Sequence, residues 1–428
     1  MSLFRIEGGV PLTGRVRVSG NKNEALPALA AVLLTDEPVV LHNIPDILDV
    51  RVMVDILRSL GAEVLYQDPH SLRIHTPELK RTSLPVELGR KVRASVLFAG
   101  AILGRAREVE LPPPGGDVIG RRRLDTHFDG FRAIGAVFEA GETYRLHAER
   151  LQGAELFLDE ASVTATENLL MAASVAEGTT VIDNAACEPH VQGIANLLNA
   201  MGARITGIGS NRLVIEGVPR LHGCEYTIGP DYLEVGSMVG LAAVTGGEVT
   251  IEAAGVAHLR MIRMMFARLG VETQTVGDDL FVPGGQSLRV RKDLHGLIPK
   301  IDDAPWPQFP TDLMSIAITV ATQAEGTVLF FEKMFEGRMF FVDALIGMGA
   351  QIILCDPHRV VVVGKSQLLG SRVQSPDVRA GMALLIAALC AKGVTTIHNI
   401  RQIDRGYERI EQKLQGLGAR IERIEEAA

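Results

Sequence analysis

The sequence predicts a two-domain α/β protein made of six copies of one repeat, three to a domain, with helices packed inside sheets. Three observations predict it: a glycine that recurs six times between helix and strand, a second turn that recurs in step with it, and a length of 428 residues at 47% apolar, enough for two separate cores.

The recurring glycines are Gly61, Gly135, Gly202, Gly270, Gly349 and Gly418, about 70 residues apart. Before each lies an amphipathic stretch such as Val52-Met53-Val54-Asp55-Ile56-Leu57-Arg58-Ser59-Leu60, with apolar residues at helical spacing. After each comes a short strand such as Ala419-Arg420-Ile421. Glycine suits the end of a helix because the left-handed conformation there carries no Cβ penalty. In the second recurring turn, Ala176-Glu177-Gly178-Thr179-Thr180-Val181-Ile182 resembles Ala324-Glu325-Gly326-Thr327-Val328-Leu329 and Lys392-Gly393-Val394-Thr395-Thr396-Ile397. Looser copies start near Asp36, Arg105 and Gly246. Each repeat thus reads as helix, glycine turn, alternating strand, second helix, second glycine turn and β-branched strand. Solenoid repeats, at roughly 20–50 residues, are shorter.

Composition removes several function classes. A net charge of −8 gives no global basic field, and one tryptophan with five tyrosines leaves little to stack on bases, so no nucleic acid is expected. The start, Met1 to Gly9, lacks the apolar core of a secretory signal, and apolar stretches such as Gly381 to Ala391 fall short of the roughly 20 residues a bilayer needs. Cys187, Cys224, Cys355 and Cys390 are scattered and form no C-x-x-C pair, which points to a reducing cytoplasm without a zinc site or disulfide framework.

The repeats build a scaffold, so function must come from residues that break the pattern. Ser19-Gly20-Asn21-Lys22-Asn23-Glu24 is a polar turn feeding an apolar helix, a place for a phosphate or carboxylate and equally for a solvated helix cap. Residues 112–123, Pro112-Pro113-Pro114-Gly115-Gly116-Asp117-Val118-Ile119-Gly120-Arg121-Arg122-Arg123, show neither period. They suit a lid over an anion, or a solvated loop with a charge run. Arg93, Asp231, Glu234, Asp312, Arg338, Asp377, Arg379 and Arg405 stand at the ends of repeat elements. Singly, each reads as a surface ion pair; converging, they would hold a phosphorylated, carboxylated substrate.

These residues carry a family likeness. Gly20-Asn21-Lys22-Asn23, Val92-Arg93-Ala94-Ser95, Pro114-Gly115-Gly116-x-x-Ile119-Gly120, Ala185-Ala186-x-Glu188-Pro189, Pro230-Asp231-x-x-Glu234-x-Gly236, Phe309-Pro310-Thr311-Asp312, Phe335-Glu336-x-Arg338, Asp377-x-Arg379-Ala380 and Ile403-Asp404-Arg405-Gly406-Tyr407-Glu408-Arg409 span nearly the whole chain. Over them the sequence resembles the UDP-N-acetylglucosamine 1-carboxyvinyltransferases, a family of enolpyruvyl transferases. The resemblance implies a two-domain inside-out α/β barrel of six βαβαββ-type repeats. One domain would take 21–230 with the lid 112–123, the other 1–20 plus 231–428, and the active site would lie in the cleft between them.

It also implies a reaction without cofactor or metal, first committed step of peptidoglycan precursor synthesis, in a cytoplasmic monomer or weak homo-oligomer. Protonating the methylene carbon of phosphoenolpyruvate makes the next carbon cationic, the 3-hydroxyl of UDP-N-acetylglucosamine attacks it, and the tetrahedral ketal loses phosphate. By position, Lys22, Arg122 and Arg405 would hold the phosphoenolpyruvate anions, with Arg338 and Arg379 beside them, and Asp312 would take the hydroxyl proton. Asn23, Arg93, Arg122, Arg123, Leu124, Asp125, Thr126, Ser162 and Val163 would hold the UDP-sugar, and Asp231, Met334 and Asp377 are further substrate-binding candidates. Asp117 stands where the family usually has a reactive lid cysteine, so it becomes the candidate proton donor, and resistance to fosfomycin is expected. Leu97 in place of a tryptophan, Thr164 of a glycine and His190 of a glutamate, with Asp302-Asp303 and Trp306 also atypical, leave two alternatives open. One is transfer to another UDP-sugar or uridine nucleotide. The other, suggested by aspartate at 117 in place of the lid cysteine, is a catalytically silent UDP-sugar-binding homologue. The related transfer to shikimate 3-phosphate is disfavoured by Asn23 after Lys22 and by the Pro-Gly-Gly lid.

Overall fold

A computed structural model describes residues 2–117 and 119–425. The chain divides into two compact bodies. One, the inserted body, is Gly20–Asp117 with Arg122–Gly229; the other, the split body, is Met1–Ser19, Val118–Arg121 and Pro230–Ala428.

Each body holds three sheets, and all six follow one plan. The repeat at Glu155–Phe157 shows it. That edge strand leads into the helix Val163–Ala173 and then the strand Thr179–Asp183, which lies parallel beside it. The helix Pro189–Ala200 and the hairpin Arg204–Thr206, Arg212–Glu216 follow, with Arg212–Glu216 pairing antiparallel to the central strand. This is the expected βαβαββ order. In one sheet of the inserted body the edge strand shrinks to a single parallel bridge, Ser83 to Glu110, leaving three strands. Every sheet stays open, so the repeats enclose their helices without closing the barrel that the resemblance implies.

Two repeats exchange their edge strands. Thr13–Arg17 pairs with Glu248–Glu252 in the split body, yet the chain after it enters the inserted body at Gly20. Glu225–Thr227 pairs with Val39–His42 in the inserted body, yet the chain after it enters the split body at Pro230.

The first helix of each repeat is the inner one. Tyr232–Thr245, Met314–Ala321 and Val378–Cys390 are buried on nearly every face and pack on one another. Lys22–Ala31, Phe98–Ala106 and Val163–Ala173 play this part in the inserted body. A helix apolar all round has no solvent face to offer, so it becomes core. Small residues allow the close approach: a Cβ on Gly240 would lie 3.0 Å from Ile316. The second helices, such as Leu48–Ser59, are amphipathic and cover the outside. All six recurring glycines have φ between 85° and 104°, the left-handed half of the map predicted for them. No helix among the described residues is long and apolar enough to cross a membrane, and none of the four cysteines forms a disulfide.

Candidate functional site

The candidate residues gather at the starts of the inner helices, because the repeat brings an edge strand and a polar turn to that place each time. Lys22 and Asn23 open one helix behind the cap Asn21, and Val163 opens another behind the cap Ser162. Arg93 begins the 3-10 turn Arg93–Leu97 ahead of Phe98–Ala106, and Asp312 lies in the turn Thr311–Leu313 ahead of Met314–Ala321. Asp231 and Asp377 cap the other two helices. Asp231 accepts from the N–H groups of Leu233 at 2.9 Å and Glu234 at 3.2 Å, and Asp377 from those of Arg379 at 2.8 Å and Ala380 at 3.0 Å. Both carboxylates therefore act as helix caps, and Asp377 also stabilises the charge of Arg338 and Asp231 that of Arg379. The exposed amide groups of such helix starts favour anions.

In the split body Asp312 joins two of these helix starts. Arg338 Nη2 donates to its Oδ1 at 2.5 Å and Arg379 Nε to its Oδ2 at 3.1 Å. Both arginines are nearly buried, whereas 23% of the Asp312 side chain faces solvent. Burial opposes ionisation of Asp312, but the Arg338 and then the Arg379 guanidinium outweigh it and hold the carboxyl well below the usual range. Each arginine also lies over a ring, Arg338 5.5 Å from Phe335 and Arg379 5.5 Å from Tyr407. Arg338 Nε and Arg379 Nη1 are buried donors without a hydrogen-bond partner. Two orphan donors on two cations are what an anion would satisfy. Arg405 donates to Gln402 Oε1 at 3.1 Å, and Met334 is 37% exposed.

Behind this cluster lies a feature not predicted as part of the site. Glu332 is fully buried and accepts from the N–H groups of Met334 and Phe335, both at 3.0 Å, and from Thr311 Oγ1. Thr311 directly precedes Asp312.

In the inserted body, Lys22 Nζ pairs with Asp49 at 2.8 Å, with side-chain exposures of only 10% and 6%. Asp49, near the start of the outer helix Leu48–Ser59, was not foreseen from sequence. Arg93 Nη2 donates to the carbonyls of Arg122 at 2.9 Å and Arg123 at 3.3 Å, while its Nε is buried without a partner. Burial, and then the Arg122 guanidinium, pull Arg93 down to about 10. Arg123 pairs with Asp159 at 2.8 Å and Asp125 at 3.3 Å, and Thr126 donates to Asp159. Leu124 packs against the core of this body.

His127, next in line after the predicted run, was missed although its position beside Thr126 was a usable signal. Burial, and then the Arg93 charge, push it down to about 3, so it is neutral. Its tautomer follows from its partners. The Gly100 N–H occupies Asn168 Oδ1, so Asn168 Nδ2 donates to His127 Nδ1, and His127 Nε2 carries the proton toward Thr164 Oγ1 at 3.0 Å.

The loop 112–123 forms neither helix nor strand over its described residues. Its glycines are sterically required: a Cβ on Gly115 would lie 1.8 Å from Arg90 O, and Gly116 has φ of 118° beside Arg93 and Arg122. Asp117 is half-buried in this loop. Within the split body Gly337 N–H donates to Ile119 O at 2.8 Å. Val118 lies outside the described residues.

Comparison with known proteins places this architecture among two-domain enolpyruvyl transferases. The crystal structure of the enolpyruvyl transferase NikO from Streptomyces tendae has the same fold, with a TM-score of 0.86 over 100% of this chain and 99% of that one at 24% identity. EPSP synthase from Acinetobacter baumannii gives a TM-score of 0.76 at 18% identity over 99% and 100% of the two chains. The family described as EPSP synthase (3-phosphoshikimate 1-carboxyvinyltransferase) matches residues 6–414. The UDP-N-acetylglucosamine 1-carboxyvinyltransferase of Treponema pallidum is 57% identical over 421 residues, 98% of this chain and 99% of its own. That of Bradyrhizobium diazoefficiens is 54% identical over 99% and 98%. The chain belongs to the EPSP synthase family of carboxyvinyltransferases, within its UDP-N-acetylglucosamine 1-carboxyvinyltransferase branch.

Proposed function

We propose that this chain transfers the enolpyruvyl group of phosphoenolpyruvate to the 3-hydroxyl of UDP-N-acetylglucosamine with release of phosphate, opening peptidoglycan precursor synthesis in the cytoplasm. Identity of 57% across nearly the whole length of a relative so named carries the reading. The cationic clusters in both bodies support it, and we assign them to one pair of substrates.

Arg338, Arg379, Arg405, Lys22 and Arg122 hold the phosphate and carboxylate of the donor. Asn23, Arg93, the residues Arg122 to Thr126, Ser162 and Val163 hold the sugar nucleotide. Asp117 delivers the proton to the methylene carbon, and Asp312 takes the one from the 3-hydroxyl. Between two arginines Asp312 is a weak base. As the donor's anions draw those guanidiniums to themselves, its proton affinity rises where the reaction needs a base. The usual thioether trap of fosfomycin has no sulfur to form on at Asp117, so resistance to that compound belongs to the same proposal.

A second reading, transfer to another uridine nucleotide, is favoured by one contact: Thr164 gives His127 a partner that a glycine there would lack. Phosphate release from phosphoenolpyruvate across a panel of UDP-sugars and shikimate 3-phosphate decides between them. Release with UDP-N-acetylglucosamine and not with shikimate 3-phosphate is expected. Preference for a different UDP-sugar favours the second reading, and no release with any acceptor overturns both in favour of a silent homologue.

A further inference from the structure

Asp303 follows the edge strand Lys300–Asp302, and Glu332 follows its parallel neighbour Gly326–Phe331. The register sets Asp302 against Phe331, so the next residue of each strand brings a carboxyl to the same sheet end. Both are 0% exposed.

Their hydrogen bonds locate a proton. Glu332 Oε1 takes two backbone N–H groups, from Met334 and Phe335, and so is filled as an acceptor. Thr311 Oγ1 lies 3.1 Å from Oε1 and 2.9 Å from Oε2, and its single O–H serves one of them. Asp303 Oδ1 accepts from Lys333 N–H at 2.6 Å, whereas its Oδ2 is buried with no donor. A buried carboxylate oxygen without a donor beside a second buried carboxyl is costly unless one of the two is protonated. Glu332 Oε2 is the oxygen with room for that proton, and Asp303 Oδ2 is the acceptor lacking one.

The structure assigns to Asp303 a positioning role: it shares one proton with Glu332, and this carboxyl pair holds the 332–335 turn and, through Thr311 and Arg338, the setting of Asp312.

The surrounding charges leave the pair to itself. Lys300 and Lys333 both turn to Asp302 at 2.9 Å, Arg359 pairs with Asp356, and His358 Nδ1 contacts only the backbone carbonyl of Glu332 at 2.7 Å. Arg338 is the cation that favours ionisation of Glu332, and Asp312 already engages it. Burial, and then the Asp303 carboxyl, push Glu332 up to about 8. A carboxyl raised in the folded chain binds its proton more tightly there than in the unfolded chain. Its stabilisation is full below the ordinary carboxyl range and is lost as pH rises through about 8. Once both groups are ionised they repel, and the turn that carries Arg338 loosens.

The functional consequence rests on the transferase reading of Asp312; the pair itself does not. The test combines a carboxyl-carbon NMR titration of the wild-type chain with thermal unfolding and turnover, each from pH 5.5 to 9.5, for wild type and Asp303→Asn. The amide introduced by that substitution donates to an ionised Glu332 without needing the shared proton. We expect one wild-type carboxyl titrating about three units above its ordinary value. Unfolding temperature and kcat should decline over the same span, with little change in KM for the nucleotide. In Asp303→Asn both declines should vanish or move down by about one unit or more, because the ionised Glu332 is then stabilised. Ordinary titration of every wild-type carboxyl overturns the proposal even if the variant fails to fold. Parallel pH curves for the two chains also overturn it. Absence of phosphate release in both chains defeats the transferase reading and the role toward Asp312, while the titration and unfolding curves still decide whether the pair exists.

Discussion

In the split body Arg338 and Arg379 share the carboxylate of Asp312, whereas in the inserted body Arg93 is buried beside a second cation, Arg122. Both arrangements place guanidiniums at the start of inner helices, but the first is compensated within the protein. In the second the neighbouring charge works against Arg93. A compensated cluster contributes to folding and must rearrange to meet a ligand; one in which a like charge lies beside a buried cation gains stability when an anion arrives. The same contrast appears in the titrating groups. Glu332 ties the split body to its protonated form, and His127 ties the inserted body to its neutral one.

The largest effect that bears on this comparison is expected from Asp312→Asn. Turnover should fall roughly 10²–10⁴-fold, the usual contribution of a positioned base, with UDP-N-acetylglucosamine binding nearly intact by calorimetry. Near-normal turnover would remove Asp312 from the base role and leave the pair of arginines purely structural.

His127 comes next. Its depressed value means that stability is full above about 6.5 and is lost as pH falls toward about 3. The inserted body should therefore lose on the order of 3–5 kcal/mol across that span, read by segment-resolved hydrogen exchange. His127→Gln should flatten the slope. An equal slope in the variant would assign the acid sensitivity to other groups.

Arg93→Met should weaken UDP-N-acetylglucosamine binding by about 10–100-fold through lost charge-assisted hydrogen bonds, with little change in unfolding temperature. Arg379→Met should instead lower the unfolding temperature, because it strips Asp312 of one of its two cations. If Arg93→Met is the destabilising variant of the two, the contrast between the bodies is false.

The smallest effect concerns Asp117. Asp117→Cys should keep turnover within about tenfold and gain time-dependent inactivation by fosfomycin, which wild type lacks. Equal inactivation of both chains would show that the lid residue is not the reacting group.

How much of this was legible in the sequence depended on range. Gly61, Gly135, Gly202, Gly270, Gly349 and Gly418 were readable because a helix end needing positive φ is a local demand, and all six meet it. Asn21, Asp231 and Asp377 were visible as breaks for the same reason, whereas Ser162 entered only through the family likeness; capping explains part of what looked like ligand chemistry. Lys22 with Asp49, and Asp303 with Glu332, were not legible. Each pairing depends on which strand or helix start lies beside which, a tertiary fact that spacing does not carry. The exchange of edge strands between Thr13–Arg17 and Glu225–Thr227 is likewise not carried by spacing; only the family likeness set residues 1–20 with 231–428 and 21–230 apart from them.

That exchange has a consequence for synthesis. Once residues through Gly229 have left the ribosome, every strand of the inserted body's three sheets is present. Thr13–Arg17 must still wait for Glu248–Glu252, and Ser2–Glu7 for Val394–His398 and Arg420–Glu425 on its two sides. Bodies fold as units while the chain emerges at about 5–20 residues per second, so the strands made earliest stay unpaired for tens of seconds. Ser2–Glu7 alternates buried and exposed residues from Phe4 onward, which makes it an open template for a stray strand during that interval. The charges Arg5 and Glu7 on its outer face are then the nascent chain's own guard against mispairing until its neighbours arrive.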